Sequence, residues 1–94
     1  MRLRIRLRNR LIRALSQAMD VHTMVNVARR IVPGYDIHQR MGLSPSLSIP
    51  NKDVAGRIVD DMSAEDRLLP FVELLIAIHR NGFVGRRMPI PGLS

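Results

Sequence analysis

The chain has 94 residues, of which 46% are apolar, contains no cysteine and carries a formal net charge of +7. That length allows one domain with a modest core, and the apolar content is that of a folded chain rather than a disordered one. The absence of cysteine excludes disulfides, thiolate metal sites and cysteine catalysis.

Aromatic residues are limited to Tyr35, Phe71 and Phe83, so the core must be built from aliphatic side chains and methionine. Met1 to Arg8 alternates apolar residues with arginine, a period that favours a strand. Leu3, Leu7, Leu11, Ala14, Leu15 and Ala18 also mark one helical stripe, and from Asn9 onward only the helix fits. A helix over about 9–18 is expected, with its extension toward the N-terminus left open. In that helix Arg4 and Arg8 interrupt the stripe, whereas Arg6, Arg10 and Arg13 face water. Residues 1–13 hold six arginines and no acid, while the remaining 81 residues hold nine basic and eight acidic residues. The basicity therefore belongs to the N-terminus. Two readings of it stand: a solvated helix face with a frayed end, or a contact with nucleic acid or an anionic membrane through Arg2, Arg4, Arg6, Arg8 and Arg10. The interrupting arginines rule out the apolar run of a secretory signal. The composition of the first 19 residues fits a mitochondrial presequence, but the bundle needs their apolar stripe.

Asp20 reads as an N-cap with Thr23 at the third helical position, and Met19 with Met24 as a hydrophobic staple. Val21, Met24, Val25, Ala28, Ile31 and Val32 then follow helical spacing until Pro33-Gly34. Arg29 and Arg30 fall in the last turn, where the helix dipole favours them. Asp36 with Gln39 repeats the capping signature, and Gly42 is a C-cap, so a short helix spans 37–41. Residues 42–50 form the one long loop. It reads as a connector or a binding loop, pinned by Leu43, Leu47 and Ile49.

Asn51 is expected to cap a helix over about 52–62 with Val54, Ala55, Ile58, Val59 and Met62 inside. Gly56 in its middle suggests close approach by another backbone. Asp60 and Asp61 oppose the dipole at its end, and Arg57 is placed to pair with either. Ser63 reads as opening a turn, with one helical turn at 64–68 and a main helix from about 69 to 80, because Pro70 cannot sit deep in a helix. Leu68 to Ile78 is apolar on every side except Glu73. It reads as the buried central helix that the rest wraps around, far too short to span a bilayer. Gly82 is the C′ glycine, with Phe83 packing back on the last turn. Pro89 and Pro91 forbid a regular helix, so residues 84–94 are expected as an extended strap, through Met88, Ile90 and Leu93, or as a linker to a further domain.

No catalytic motif is present. His22, His38 and His79 lie in separate segments without metal-site spacing. There is no Ser-His-Asp arrangement, carboxylate pair or phosphate-binding glycine loop. No enzymatic activity, cofactor, metal or small-molecule substrate is expected. Gly82 to Arg87 spells GxxG followed by Arg86 and Arg87, like the phosphate clamp of KH domains. Prolines follow it and no sheet accompanies it, which leaves Arg86 and Arg87 as anion-binding candidates only.

The expected fold is thus all-α, a small bundle of about five short helices. The opening Arg10-Leu11-Ile12-Arg13-Ala14-Leu15, the stripe from Met24 to Ile31, the run Ala55 to Val59 and the run Leu68 to Leu75 together resemble the death-fold-like bundles. The likeness is to the small effector-associated domains of bacterial conflict and signalling proteins. That resemblance implies a non-catalytic adaptor that adheres to a copy of itself or to a paired domain and brings an effector to its sensor, in the cytoplasm. For such adhesion Arg29 and Arg30 are candidates for one patch, and Asp60, Asp61, Glu65 and Asp66 for its complement. The alternative is nucleic-acid or anionic-membrane binding through residues 2–13.

Overall fold

A computed structural model of the chain describes residues 3–80. The anion candidates Arg2, Arg86 and Arg87, the ending at Gly82 and Phe83, and the strap over 84–94 lie outside the described residues. Within them the chain forms five helices and no strand: α1 (Ile5–Ala18), α2 (Val21–Ile31), α3 (Ile37–Met41), α4 (Asn51–Ala64) and α5 (Leu68–Arg80). No helix among the described residues is long and apolar enough to cross a membrane.

Capping chemistry sets most of the boundaries. The Asp20 carboxylate accepts from the Thr23 amide at 2.8 Å and starts α2. Asp36 accepts from the amides of His38 and Gln39 at 3.1 and 3.2 Å and starts α3. Gly42 ends α3 at φ +68°. Its amide donates to the Gln39 carbonyl and that of Leu43 to the His38 carbonyl, the two bonds of a Schellman ending. The end of α4 repeats this pattern without glycine. The amides of Asp66 and Arg67 donate to the carbonyls of Ser63 and Met62, and Asp66 takes the left-handed position at φ +57°. Aspartate tolerates that conformation better than most residues.

Three boundaries differ from the sequence reading. Helix α4 continues through Ser63 to Ala64, so no separate helical turn lies at 64–68. Helix α5 then begins at Leu68 and accommodates Pro70 as its third residue, where a missing amide costs no intrahelical bond. Asn51 does not cap α4. It is the first residue of that helix, and its Nδ2 donates 2.8 Å to the Met19 carbonyl, closing the C-terminal end of α1 instead. Helix α1 starts at Ile5, so the extension toward the N-terminus that the sequence left open is present. Arg8 does fall on its core-facing side, but Asp60 of α4 matches the charge, so the stripe is not broken. In the long loop Ile49 is buried and Leu43 half-buried, while the Leu47 side chain is exposed. The loop is held there by the Leu47 carbonyl, 2.7 Å from His38 Nε2.

The central element is α4, not α5. Val54, Ala55, Ile58, Val59 and Met62 are fully buried, and α4 borders each of the other four helices. In α5 only one side is inside: Leu68, Phe71 and Ile78 are buried and Leu75 is half-buried. Leu69 is 63% and Ile76 47% exposed. An apolar composition all round a helix therefore does not make it the centre. What approaches Gly56 is a pair of α1 side chains rather than a backbone. A Cβ there would lie 3.7 Å from Ile12 Cδ1 and 3.9 Å from Arg8 Nη2, ordinary contact distances.

Two measurements test this arrangement. In urea unfolding, Ile58→Ala should cost about 2–5 kcal/mol and half-buried Leu75→Ala clearly less; the reverse order would return α5 to the centre. Gly56→Ala should stabilise the chain by about 0.5–1 kcal/mol, because the helix gains propensity and the new methyl has room. A destabilisation would mean that α1 cannot yield there.

Candidate functional site

The titratable side chains of α4 are mostly engaged inside the domain. Asp61, only 9% exposed, faces the core side of the helix end. The hydroxyl of Tyr35, itself buried between α2 and α3, donates 2.7 Å to its Oδ2. Arg57 Nε donates to Oδ1 and Oδ2 at 3.0 and 3.2 Å, the i,i+4 pair foreseen from spacing. Arg40 of α3 approaches Asp61 at 3.8 Å, pairs with Glu65, and stacks over the Tyr35 ring at 4.8 Å. Burial first, then the Asp61 hydrogen bond, pushes the Tyr35 hydroxyl well above the ordinary tyrosine range.

Asp60 points the other way, toward α1. Arg8 meets it with two hydrogen bonds, Nε to Oδ1 at 2.7 Å and Nη2 to Oδ2 at 2.8 Å. That hydrogen bond is the main reason its carboxyl is held below the usual range. The acidic corner of the sequence reading is thus largely internal. Asp61 is buried, Asp60 and Glu65 have arginine partners, and Asp66 forms the left-handed turn before α5. Of the proposed basic patch, Arg29 donates through Nε to the Tyr35 carbonyl at 3.0 Å and so supports the α2–α3 turn. Arg30 is exposed without a partner among the described residues. Tyr35 and Arg40 were missed by sequence reasoning. The turn Pro33-Gly34-Tyr35-Asp36 drew attention only as punctuation, and nothing local connects Arg40 to acids more than twenty residues away.

One of the open surface features is apolar. Between α1 and α5 runs a groove of about 270 Å³, walled by Leu11, Ala14 and Ala18 on one side and Leu75 and Ile76 on the other. His79 and Arg80 close one end. Leu7, four residues before Leu11, extends the α1 wall and is exposed. Leu69, Val72 and Ile76 continue the α5 wall at i, i+3, i+7 spacing, with Leu69 and Ile76 facing solvent. A second groove, polar and about 580 Å³, lies between α1 and α4, lined by Arg8, Arg13, Lys52, Asp53, Arg57 and Asp60.

Among known proteins, no family model, curated protein or solved structure matches the chain. Its surfaces are therefore what the functional reading rests on.

Two outcomes test the charge network. Tyr35 is the sole tyrosine, so tyrosinate absorbance reports it alone. A raised folded value means that this group contributes stability below the free tyrosine range, about pH 10, which is lost as pH rises beyond it. Tyrosinate should appear only together with loss of helical circular dichroism; ionisation of an intact fold near pH 10 would show that the hydroxyl is not buried on Asp61. For Asp60 the sign is opposite: a depressed carboxyl stabilises above the free carboxylate range and ceases to as pH falls through it. Asp60→Asn should lower the urea midpoint at neutral pH, with the gap closing in acid. A gap independent of pH would remove the Arg8 ion pair as its cause.

Proposed function

We propose that the chain is a non-catalytic protein-interaction module that receives an apolar, acid-flanked helix of a partner protein on its α1/α5 face. One observation carries this reading: an apolar groove between α1 and α5, walled by Leu11, Ala14, Leu75 and Ile76, has no occupant among the described residues, and Leu7 and Leu69 are exposed on the same two helices. Contiguous exposed apolar surface marks interaction sites, and a groove between two helices suits a third amphipathic helix. The choice of an acidic flank follows from charge. The ionisable residues lining the groove are His79 and Arg80, and Glu73, the acid of α5, is exposed outside that lining. A second copy suits it less well, since each chain carries +7 and like charges oppose association.

A non-catalytic role accords with the engagement of Asp60, Asp61 and Glu65 by arginines and a tyrosine, which leaves these carboxylates structural tasks. Adhesion to a paired domain is also what the likeness to death-fold-like effector-associated domains implies. A chain without cysteine fits the reducing cytoplasm where such modules work.

The test uses a designed helical peptide with leucines along one face and glutamates beside them. Added to the full chain, it should shift the NMR signals of Leu11, Ala14, Leu75 and Ile76. A lysine-flanked version should bind at least about 10-fold more weakly. Ile76→Asp should abolish binding while leaving stability within about 0.5 kcal/mol, as for an exposed position. Three results would overturn the reading: no binding, a homodimer in sedimentation that Ile76→Asp dissolves, or contacts in the free chain between residues 81–94 and the groove that exclude the peptide.

A further inference from the structure

Helix α1 has three long faces, and only two of them are used so far. Arg8, Ile12 and Leu15 fall on the side turned inward to α4, where Asp60 takes the charge of Arg8. Leu7, Leu11, Ala14 and Ala18 form the wall of the apolar groove. The third face repeats at the same spacing: Arg6, Arg10, Arg13 and Gln17, all exposed. None of these three guanidinium groups has a partner among the described residues. We propose that this face and the polar α1/α4 groove beside it bind the phosphodiester backbone of nucleic acid without sequence preference.

The groove extends the arginine row onto a second helix. Arg13 belongs to both. Across from it Lys52 has no partner among the described residues, and Arg57 uses only its Nε on Asp61, leaving its terminal nitrogens available. Of the two carboxylates in the groove, Asp60 is already held by Arg8. Gly56 contributes no side chain, which keeps the floor open. The unpaired cations thus outnumber the unpaired acid.

Their arrangement selects the ligand. Arg6 to Arg13 spans about 10 Å of helix, over which one DNA strand presents about three phosphates. A row of charges that do not converge on one point fits a linear polyanion better than a compact phosphate compound. The described aromatics, Tyr35 and Phe71, are buried, so no ring is offered for base stacking. Contacts confined to phosphate carry no base information. A membrane surface fits less well, because a helix lying in a bilayer inserts its apolar side. On α1 the open apolar side is the wall Leu11, Ala14 and Ala18 of the α5 groove, a different face from the arginine row and away from the α1/α4 groove that Arg13 shares with Lys52.

The inference concerns a different face from the apolar groove, and either can fail alone. The experiment titrates the full chain into labelled duplex DNA and single-stranded RNA by fluorescence anisotropy. Parallel runs use vesicles of phosphatidylcholine with phosphatidylserine. Four neutralised phosphates give a slope of log affinity against log salt near −3.6 on duplex DNA, a loss of roughly 150-fold between about 50 and 200 mM. A variant carrying Arg6→Gln, Arg10→Gln, Arg13→Gln and Lys52→Gln should lose most of that slope and keep its circular dichroism. The pair Arg29→Gln and Arg30→Gln, on α2, should keep the slope nearly unchanged. Failure of the wild type to bind at the lower salt would overturn the proposal. So would a quadruple variant with the wild-type slope, binding to vesicles in place of nucleic acid, or more than about 10-fold preference among sequences, a discrimination that phosphate contacts do not supply.

Discussion

The Asp61 carboxylate must be satisfied before the end of α4 can be buried. A buried charge without partners costs about 3–5 kcal/mol, enough to consume much of the stability of a domain this small. Here two donors meet it from different parts of the chain: the Tyr35 hydroxyl from the α2–α3 turn and Arg57 from one turn earlier in α4, with Arg40 of α3 close by. The network does more than neutralise a charge. It fixes where α3, the shortest helix, lies against α4, and it holds the only described tyrosine ring under the Arg40 guanidinium. A five-residue helix is too short to be stable alone, so its position has to be imposed by contacts of this kind.

Around that anchor α4 serves as the post against which the others lean. Its stripe of Val54, Ala55, Ile58, Val59 and Met62 is fully buried, and α1 crosses it beside Gly56 through Ile12 and Arg8. The Arg8–Asp60 pair secures the same crossing from its solvent edge. An exposed ion pair of this sort adds little stability. Its effect here is on register: a bidentate arginine fixes how far along α4 the N-terminal half of α1 must sit. The six arginines of the N-terminal segment are therefore not one feature. Arg8 has a structural role, whereas Arg6, Arg10 and Arg13 remain in solvent on the opposite side of the helix.

The domain leaves two contrasting surfaces open, an apolar groove on one side of α1 and an arginine row on another. Helix geometry permits this because residues three and four apart share a face while neighbours in sequence diverge. Alternation of arginine with leucine over the first residues looks like a strand when read in steps of two. Read in steps of three and four, it sorts the same residues into surfaces of different chemistry. The proposed adhesive role bears on the first surface alone; the second follows from the charges themselves.

Much of the local chemistry was legible in the sequence, although the cap read at Asn51 was not one. The caps at Asp20 and Asp36, the stop at Gly42, the buried stripe of α4 and the all-α class each depend on residues within a few positions of one another, and each was found where expected. The sequence also located the basic segment and Arg57 as a partner for Asp60 or Asp61, of which the packing takes Asp61. What it could not decide was which acid is free and which apolar helix is central. Asp60 and Asp61 are adjacent in the chain, but one turns outward to Arg8 and the other inward to Tyr35. Helices α4 and α5 both carry enough apolar residues to be the core, and only the packing shows that α5 exposes Leu69 and Ile76. Those outcomes belong to the tertiary structure because they rest on contacts between residues more than twenty positions apart. Capping and helical periodicity, by contrast, act within a single turn or two, and so are written in the sequence itself.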